Sequence, residues 1–183
     1  MDVRRHRTES VSNPSARRSF IASALALGAA VLPSRVVSAG NAGRSISWVH
    51  GSSAMLAGAR QLESDVIQGN ARVVRGRSWS SIPLHFSVPS PGLESGRRMR
   101  IAAVWLRFQS GGGAWVESVM LHDCEVTVAR IDGLALRQPE WGDVRVPFDK
   151  PCAVARCIGV TLGCKFEETG RQVCVSAVGC EFA

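Results

Sequence analysis

Residues 158–182, IGVTLGCKFEETGRQVCVSAVGCEF, decide the fold. In the first half Ile158, Val160, Leu162, Cys164 and Phe166 alternate with glycine, threonine and lysine. A period of two over nine residues is the mark of a strand with one buried face. Glu167 to Gly170 turns the chain, and Val173 to Phe182 returns as a second apolar strand. Two such strands joined by a short polar turn predict an antiparallel hairpin.

Upstream the same grammar repeats. Val144, Val146 and Phe148 alternate with Arg145 and Pro147, and the run from Val126 to Ile131 is closed by Asp132-Gly133, a strong turn signal. In the run from Ile101 to Phe108, Ala102, Val104, Leu106 and Phe108 share one face, and Ala103, Trp105 and Arg107 share the other. Ser110-Gly111-Gly112-Gly113 then leads into Trp115–Leu121, which reads as its hairpin partner. Ile82, Leu84, Phe86 and Val88 form another half-buried strand, with Pro83 marking an edge or a bulge. Arg72–Arg75 and Ser45–His50 are shorter candidates. In residues 54–68, Met55, Ala59, Leu62 and Val66 fall at helical spacing, but Gly58 and Gly69-Asn70 leave a helical turn or an irregular crossing equally open. About eight or nine short strands, separated by glycine and proline and free of crossover helices, predict an all-β fold. The expected architecture is an antiparallel, jelly-roll-like β-sandwich.

The N-terminal region belongs to a different kind of segment. Arg17-Arg18 precedes an uncharged run from Phe20 to Ser34, and Val37-Ser38-Ala39 offers small residues where a signal peptidase reads. That order is a cleavable export signal over residues 1–39, and the paired arginines resemble the twin-arginine type. The uncharged run is short of the ~20 residues needed to span a bilayer, so no membrane span is expected after cleavage. The expected product is a single domain, 40–183, exported to the periplasm or beyond by the twin-arginine machinery.

Removing the signal also changes the charge. The chain carries 22 basic and 15 acidic residues, but six and two of them lie in residues 1–39, leaving 16 and 13 and a net charge of +3. The remaining basic cluster, Arg97-Arg98-Met99-Arg100, has no aromatic platform beside it, which excludes a nucleic-acid reading.

All six cysteines fall between Cys124 and Cys180, with 27, 4, 6, 9 and 5 residues between successive ones and no C-x-x-C. In an oxidising compartment an even count points to disulfides among Cys124, Cys152, Cys157, Cys164, Cys174 and Cys180, with about 15 full connectivities open. Hairpin counting favours one pair. If Glu167 faces Arg171 around a three-residue loop, Cys164 stands opposite Cys174. A four-residue loop instead sets Cys157 opposite Cys180.

Few residues suggest chemistry. His122-Asp123-Cys124 would place two metal-ligand types on one strand face, with His50 or His85 to complete a site, but a strand end with a surface histidine explains it as well. No Gly-x-Ser-x-Gly elbow or phosphate-cradling glycine loop is present, so no enzymatic signal emerges and no cofactor is expected. The five tryptophans, all beyond residue 39 in a chain without tyrosine, carry more information. If Phe108 faces the core, Trp105 and Arg107 face away from it. An exposed Trp beside Arg stacks on a sugar ring or anchors a partner, whereas a covering loop would simply bury it. With Trp48 and His50 of the opening strand they form the candidate binding set.

The opening Ser47-Trp48-Val49-His50-Gly51, with Ile82-Pro83-Leu84, the run 104–108 and the run 159–166, resembles an uncharacterised bacterial family of small all-β domains that begin with Trp-Val-His-Gly. The resemblance implies the sandwich fold and supplies no catalytic residues. The expected function is a non-catalytic exported module that binds a glycan, an envelope component or a protein partner. An accessory or metal-holding protein folded before transport, or a small secreted hydrolase, is the alternative.

Overall fold

The alternation in residues 158–166 follows from a strand packed on one side only, and a computed structural model of the chain places it so. The structure describes residues 45–90, 93–94, 97–98 and 100–183; the expected signal, with Arg17, Arg18 and Ala39, lies outside them. Thirteen strands are present among the described residues: β1 (Ser45–His50), β2 (Met55–Leu56), β3 (Leu62–Gln68), β4 (Ala71–Gly76), β5 (Ser80–Val88), β6 (Leu93–Glu94), β7 (Arg97–Arg98), β8 (Arg100–Ser110), β9 (Ala114–Asp123), β10 (Val126–Ile131), β11 (Gly142–Ala153), β12 (Ile158–Phe166) and β13 (Gln172–Phe182).

A six-stranded sheet runs β11-β8-β13-β4-β3, with β1 pairing the far half of β13. A five-stranded sheet runs β10-β9-β12-β5-β2. Every pairing within them is antiparallel. The protein is an all-β sandwich, and its core fills the space between the sheets. Ile82, Leu84, Phe86, Val160, Leu162 and Phe166 enter that core from one side, and Val104, Leu106, Phe108, Val175, Val178 and Phe182 from the other. Each such side chain contributes about 1.5–3 kcal/mol by leaving water.

The expected hairpin between the last two strands does not form. β12 pairs with β5 and β9 in one sheet, whereas β13 pairs with β8, β4 and β1 in the other. The turn after Phe166 carries the chain across the sandwich, so the two apolar faces meet through the core rather than side by side. The same holds for Gly111–Gly113: β8 and β9 lie in opposite sheets, and β9 pairs with β10 and β12. Each of these strands buries one face along its length. Such strands gain more from a partner on either edge and a sheet opposite than from one local neighbour.

This crossing overturns the expected Cys164–Cys174 bridge. Cys164 points into the core with no exposed surface, while Cys174, flanked by core-facing Val173 and Val175, points out of the six-stranded sheet. The alternative Cys157–Cys180 pair fails too, because Cys180 is enclosed in the core and Cys157 is exposed. No two of the six cysteines are bonded to each other in this structure. Burial pushes the Cys164 and Cys180 thiols up to about 12.

Three smaller differences follow from bulges and edges. β13 switches its inward parity between Val175 and Val178, and the register against β8 slips there, leaving Ser176 as the extra residue. A second slip, between Glu181 and Phe182, brings Ile101 into the core where Ala102 was expected. Residues 54–68 form one short 3-10 turn, Ala59–Gln61, with β2 and β3, and a second such turn, Gly51–Ser53, precedes them. Their helical spacing is therefore coincidental, and Val66 lies exposed on an edge strand. Pro83 meets its expectation: its carbonyl accepts from Ala57 N–H at 3.5 Å on the side of the two-residue β2, and its missing amide points the same way.

Candidate functional site

Residues paired across antiparallel strands share a face, so the register of the six-stranded sheet reads out its outer surface directly. Trp48 of β1 pairs with Gly179 of β13, Gly179 with Trp105 of β8, and Trp105 with Arg145 of β11. One row thus crosses four strands, with the two tryptophans flanking a glycine and about 10 Å apart along the sheet. Gly179 is required by space. A Cβ there would stand 2.8 Å from Trp48 Cδ2 and Cε3, because the indole lies over the glycine. The next row holds His50, Ala177, Arg107 and Asp143, with Arg107 Nη1 donating to Asp143 Oδ2 at 3.1 Å. All four candidate binding residues, Trp48, His50, Trp105 and Arg107, lie on this one face.

Trp105 is neither a free platform nor core. It is half-buried, and its Nε1–H donates to Glu181 Oε2 at 2.8 Å. Arg145 donates to the same carboxylate through Nε to Oε2 (2.7 Å) and Nη2 to Oε1 (2.9 Å). Glu181 is only 3% exposed, so a buried carboxylate fixes both the indole and the guanidinium. Hydrogen bonding to Glu181 holds the Arg145 pKa above its ordinary value.

Farther along the same face the register carries Trp141 opposite Gln109, one step past the Gly142–Phe108 pair. Together they border a hollow of about 310 Å³ floored by Val73 and Cys174 and edged by the amides of Gln68, Gln109 and Gln172. Gln172 Oε1 accepts from Arg75 Nη2 at 2.8 Å, and Gln109 Nε2 donates to Pro139 O at 2.8 Å. The Nε2 end of Gln172 and the Oε1 end of Gln109 take no part in these two bonds. Sequence reasoning missed Trp141, Arg145 and Glu181. Their signal was the odd–even phase of β11 and β13, which had no meaning until the pairing of those strands was known.

The tryptophan distribution is the clearest feature of the surface. The core among the described residues contains no tryptophan. Trp48, Trp79 and Trp141 are exposed, Trp79 on the β4–β5 turn with φ 57°, and Trp115 lies on the outside of the other sheet beneath Arg137, whose guanidinium carbon is 4.3 Å from the ring centroid.

The outer face of the five-stranded sheet carries a groove of about 630 Å³. Thr161 on its floor binds both His85 Nδ1 (2.8 Å) and His122 Nε2 (3.0 Å), and Thr127 Oγ1 lies 3.1 Å from His122 Nδ1. The hydroxyl has one proton and two lone pairs, so Thr161 donates to at most one imidazole and at least one ring N–H donates to it. Burial and the neighbouring His85 hold the His122 pKa below its ordinary value. His85 and His122 thus converge as the sequence allowed, whereas His50 lies on the opposite sheet. Among the described residues, the group that brings three metal-type donors together is a different one: Asp123, Cys124 and Cys157 lie with ligand atoms within 4.8 Å of one another. His122, with both nitrogens committed to threonines, is not part of it. Among the described residues no helix is long and apolar enough to cross a membrane.

A family model matches residues 42–183, a span that contains every strand of both sheets. The chain belongs to DUF6623, a family of unknown function. Membership is consistent with the expectation of an uncharacterised domain. No curated protein matches this DUF6623 member in sequence. Its fold is similar to several solved modules. A low-affinity xylan-binding module of family 86 from the gut symbiont Roseburia intestinalis is 9% identical, with TM-score 0.46 over 76% of this chain and 96% of that one. A family 36 carbohydrate-binding module in complex with calcium and xylotriose is 10% identical, with TM-score 0.42 over 75% and 99%. A point variant of a family 29 module complexed with cellulohexaose is 9% identical, with TM-score 0.43 over 77% and 93%.

Proposed function

We propose that the chain is an exported, non-catalytic module that binds a glycan on the outer face of its six-stranded sheet. One observation carries the reading: Trp48, Trp105 and Trp141 all project from that face while the core does without tryptophan. An indole is costly to leave in water, and its flat apolar ring matches the C–H face of a pyranose. The hydroxyl groups of a sugar need partners that both give and accept hydrogen bonds. His50, Arg107 and the amides of Gln109 and Gln172 supply them beside the rings. The two ends of the face differ in role. Trp105 is pinned by Glu181 and gives rigidity, whereas Trp48 and Trp141 are open enough to meet a ligand. Export through residues 1–39, guided by Arg17 and Arg18 and ended at Ala39, would bring this face to envelope or extracellular polysaccharide.

The test is binding of the purified chain to an array of plant and bacterial polysaccharides, followed by titration of any positive. Trp48→Ala and Trp141→Ala should each weaken binding about tenfold or more, since such an aromatic anchor is worth about 1.5–2 kcal/mol. Trp79→Ala, at an exposed turn away from the face, should leave it unchanged. Retention of affinity in both face variants would remove this site from consideration.

A further inference from the structure

We propose that Cys124 and Cys157 are the partners of a disulfide that closes one end of the groove on the five-stranded sheet. The argument is independent of the glycan-binding face. β9 and β12 pair in a register whose last two steps are His122 with Gly159 and Asp123 with Ile158. Cys124 directly follows that last pair in the turn after β9, and Cys157 directly precedes it on the approach to β12. Both cysteines line the groove there. The thiol sulfurs already lie within 4.8 Å of each other.

Two further features hold the pair in place. The Asp123 carboxylate accepts the amides of Ala155 (2.9 Å), Arg156 (3.0 Å) and Cys157 (3.2 Å), which ties the Cys157 backbone to the residue preceding Cys124. Cys124 itself sits at φ 55°, a left-handed position where glycine or asparagine is normal. Strain retained at a functional side chain is the pattern expected when that side chain is needed. Hydrogen bonding to Cys157 pushes the Cys124 thiol up, in keeping with the close approach of the two sulfurs. The other four cysteines differ in kind: Cys164, Cys174 and Cys180 are buried and Cys152 is half-buried, while Cys124 and Cys157 are exposed to an oxidant.

A metal ion would compete for the same sulfurs. The geometry favours the bond, because the third donor, Asp123, already serves three backbone amides and offers an ion little.

Formation requires an external disulfide, such as that of a thiol oxidant or oxidised glutathione. The Cys157 thiolate attacks one of its sulfurs, giving a mixed disulfide and releasing one thiolate. Cys124, losing its proton, attacks the Cys157 sulfur and releases the second. Two thiols become one disulfide, and the reagent gains two electrons and two protons to become two thiols.

The purified chain, incubated with oxidised glutathione, is blocked with iodoacetamide and digested with trypsin without reduction. The expected product links the peptide 108–130, which holds Cys124, to the peptide 157–165, with fragment ions assigning the bond to Cys157 and not Cys164. Reduction should lower Tm by on the order of 10 °C, and Cys124→Ser or Cys157→Ser should abolish that difference while Cys152→Ser preserves it. Full alkylation of both cysteines after oxidation, or linkage of either to another cysteine, overturns the proposal. So does an equivalent of zinc, added as the sulfate, that is retained with both thiols protected from alkylation. The peptide map needs no variant and stands if a serine variant fails to fold.

Discussion

Trp48 lies across Gly179, its indole occupying the space that a side chain on β13 would take. The relationship couples a backbone position in the middle of the sheet to one of the two exposed tryptophans of the face. Gly179→Ala should push the ring outward, because the ring is rigid and its Cδ2 and Cε3 atoms stand 2.8 Å from the new methyl group. The cost is that of local overpacking, about 1–3 kcal/mol, and the core is untouched because position 179 faces outward. Tryptophan emission should shift to the red and glycan affinity should fall. Unchanged emission would mean that Trp48 does not rest on Gly179.

Trp105 and Leu106 are neighbours with opposite duties. Leu106→Ala removes a side chain with no exposed surface and should cost about 2–5 kcal/mol in denaturant unfolding. Trp105→Phe keeps most of the ring and loses the hydrogen bond to Glu181, a bond to a charged group worth about 1.5–3 kcal/mol. The phenylalanine variant should therefore be the milder of the two. A larger loss at 105 than at 106 would make Trp105 a core residue after all.

Glu181 is the keystone of that cluster. Replacing it with glutamine leaves the Arg145 guanidinium without its paired carboxylate, and stability should fall by about 2–4 kcal/mol. Arg145→Lys keeps the charge but loses the two-point contact, so it should fall between wild type and Glu181→Gln. Equal stability of all three proteins would show that the pair is idle.

The groove of the other sheet predicts a response to acid. His122 has its folded pKa held below the ordinary 6.5, so the unfolded chain takes up the proton first. Stability from this group is complete above pH ~6.5 and is lost as pH falls toward the folded value. His85→Gln removes the neighbouring imidazole and its coulombic effect, and should raise the His122 midpoint while shrinking that loss. NMR titration of the His122 ring proton checks it. A midpoint at or above 6.5 in the native protein would refute the assignment.

Export rests on residues 1–39. Replacing Arg17 and Arg18 with lysine should leave precursor in the cytoplasm, and the exported form should begin at Gly40 by mass spectrometry. Normal export of the lysine variant would remove the twin-arginine route.

The sequence by itself determined which residues face inward. A period of two depends on the chain's own geometry, so Ile158 through Phe166, Ile82 through Val88 and Val104 through Phe108 could be assigned an inner face without knowing any partner. The same logic placed Trp105 and Arg107 on an outer face, and the structure agrees. Which strands lie beside one another was decided only in three dimensions. Two adjacent strands with a short link can close as a hairpin or cross to the opposite sheet, and both arrangements bury the same apolar residues. The choice falls to non-local partners: β5 and β9 beside β12, and β8, β4 and β1 beside β13. The site inherits that difference. Trp48, Gly179, Trp105 and Arg145 form a row, and Cys124 comes close to Cys157, through contacts between residues from 33 to 131 positions apart. No alternation within a single strand carries that information.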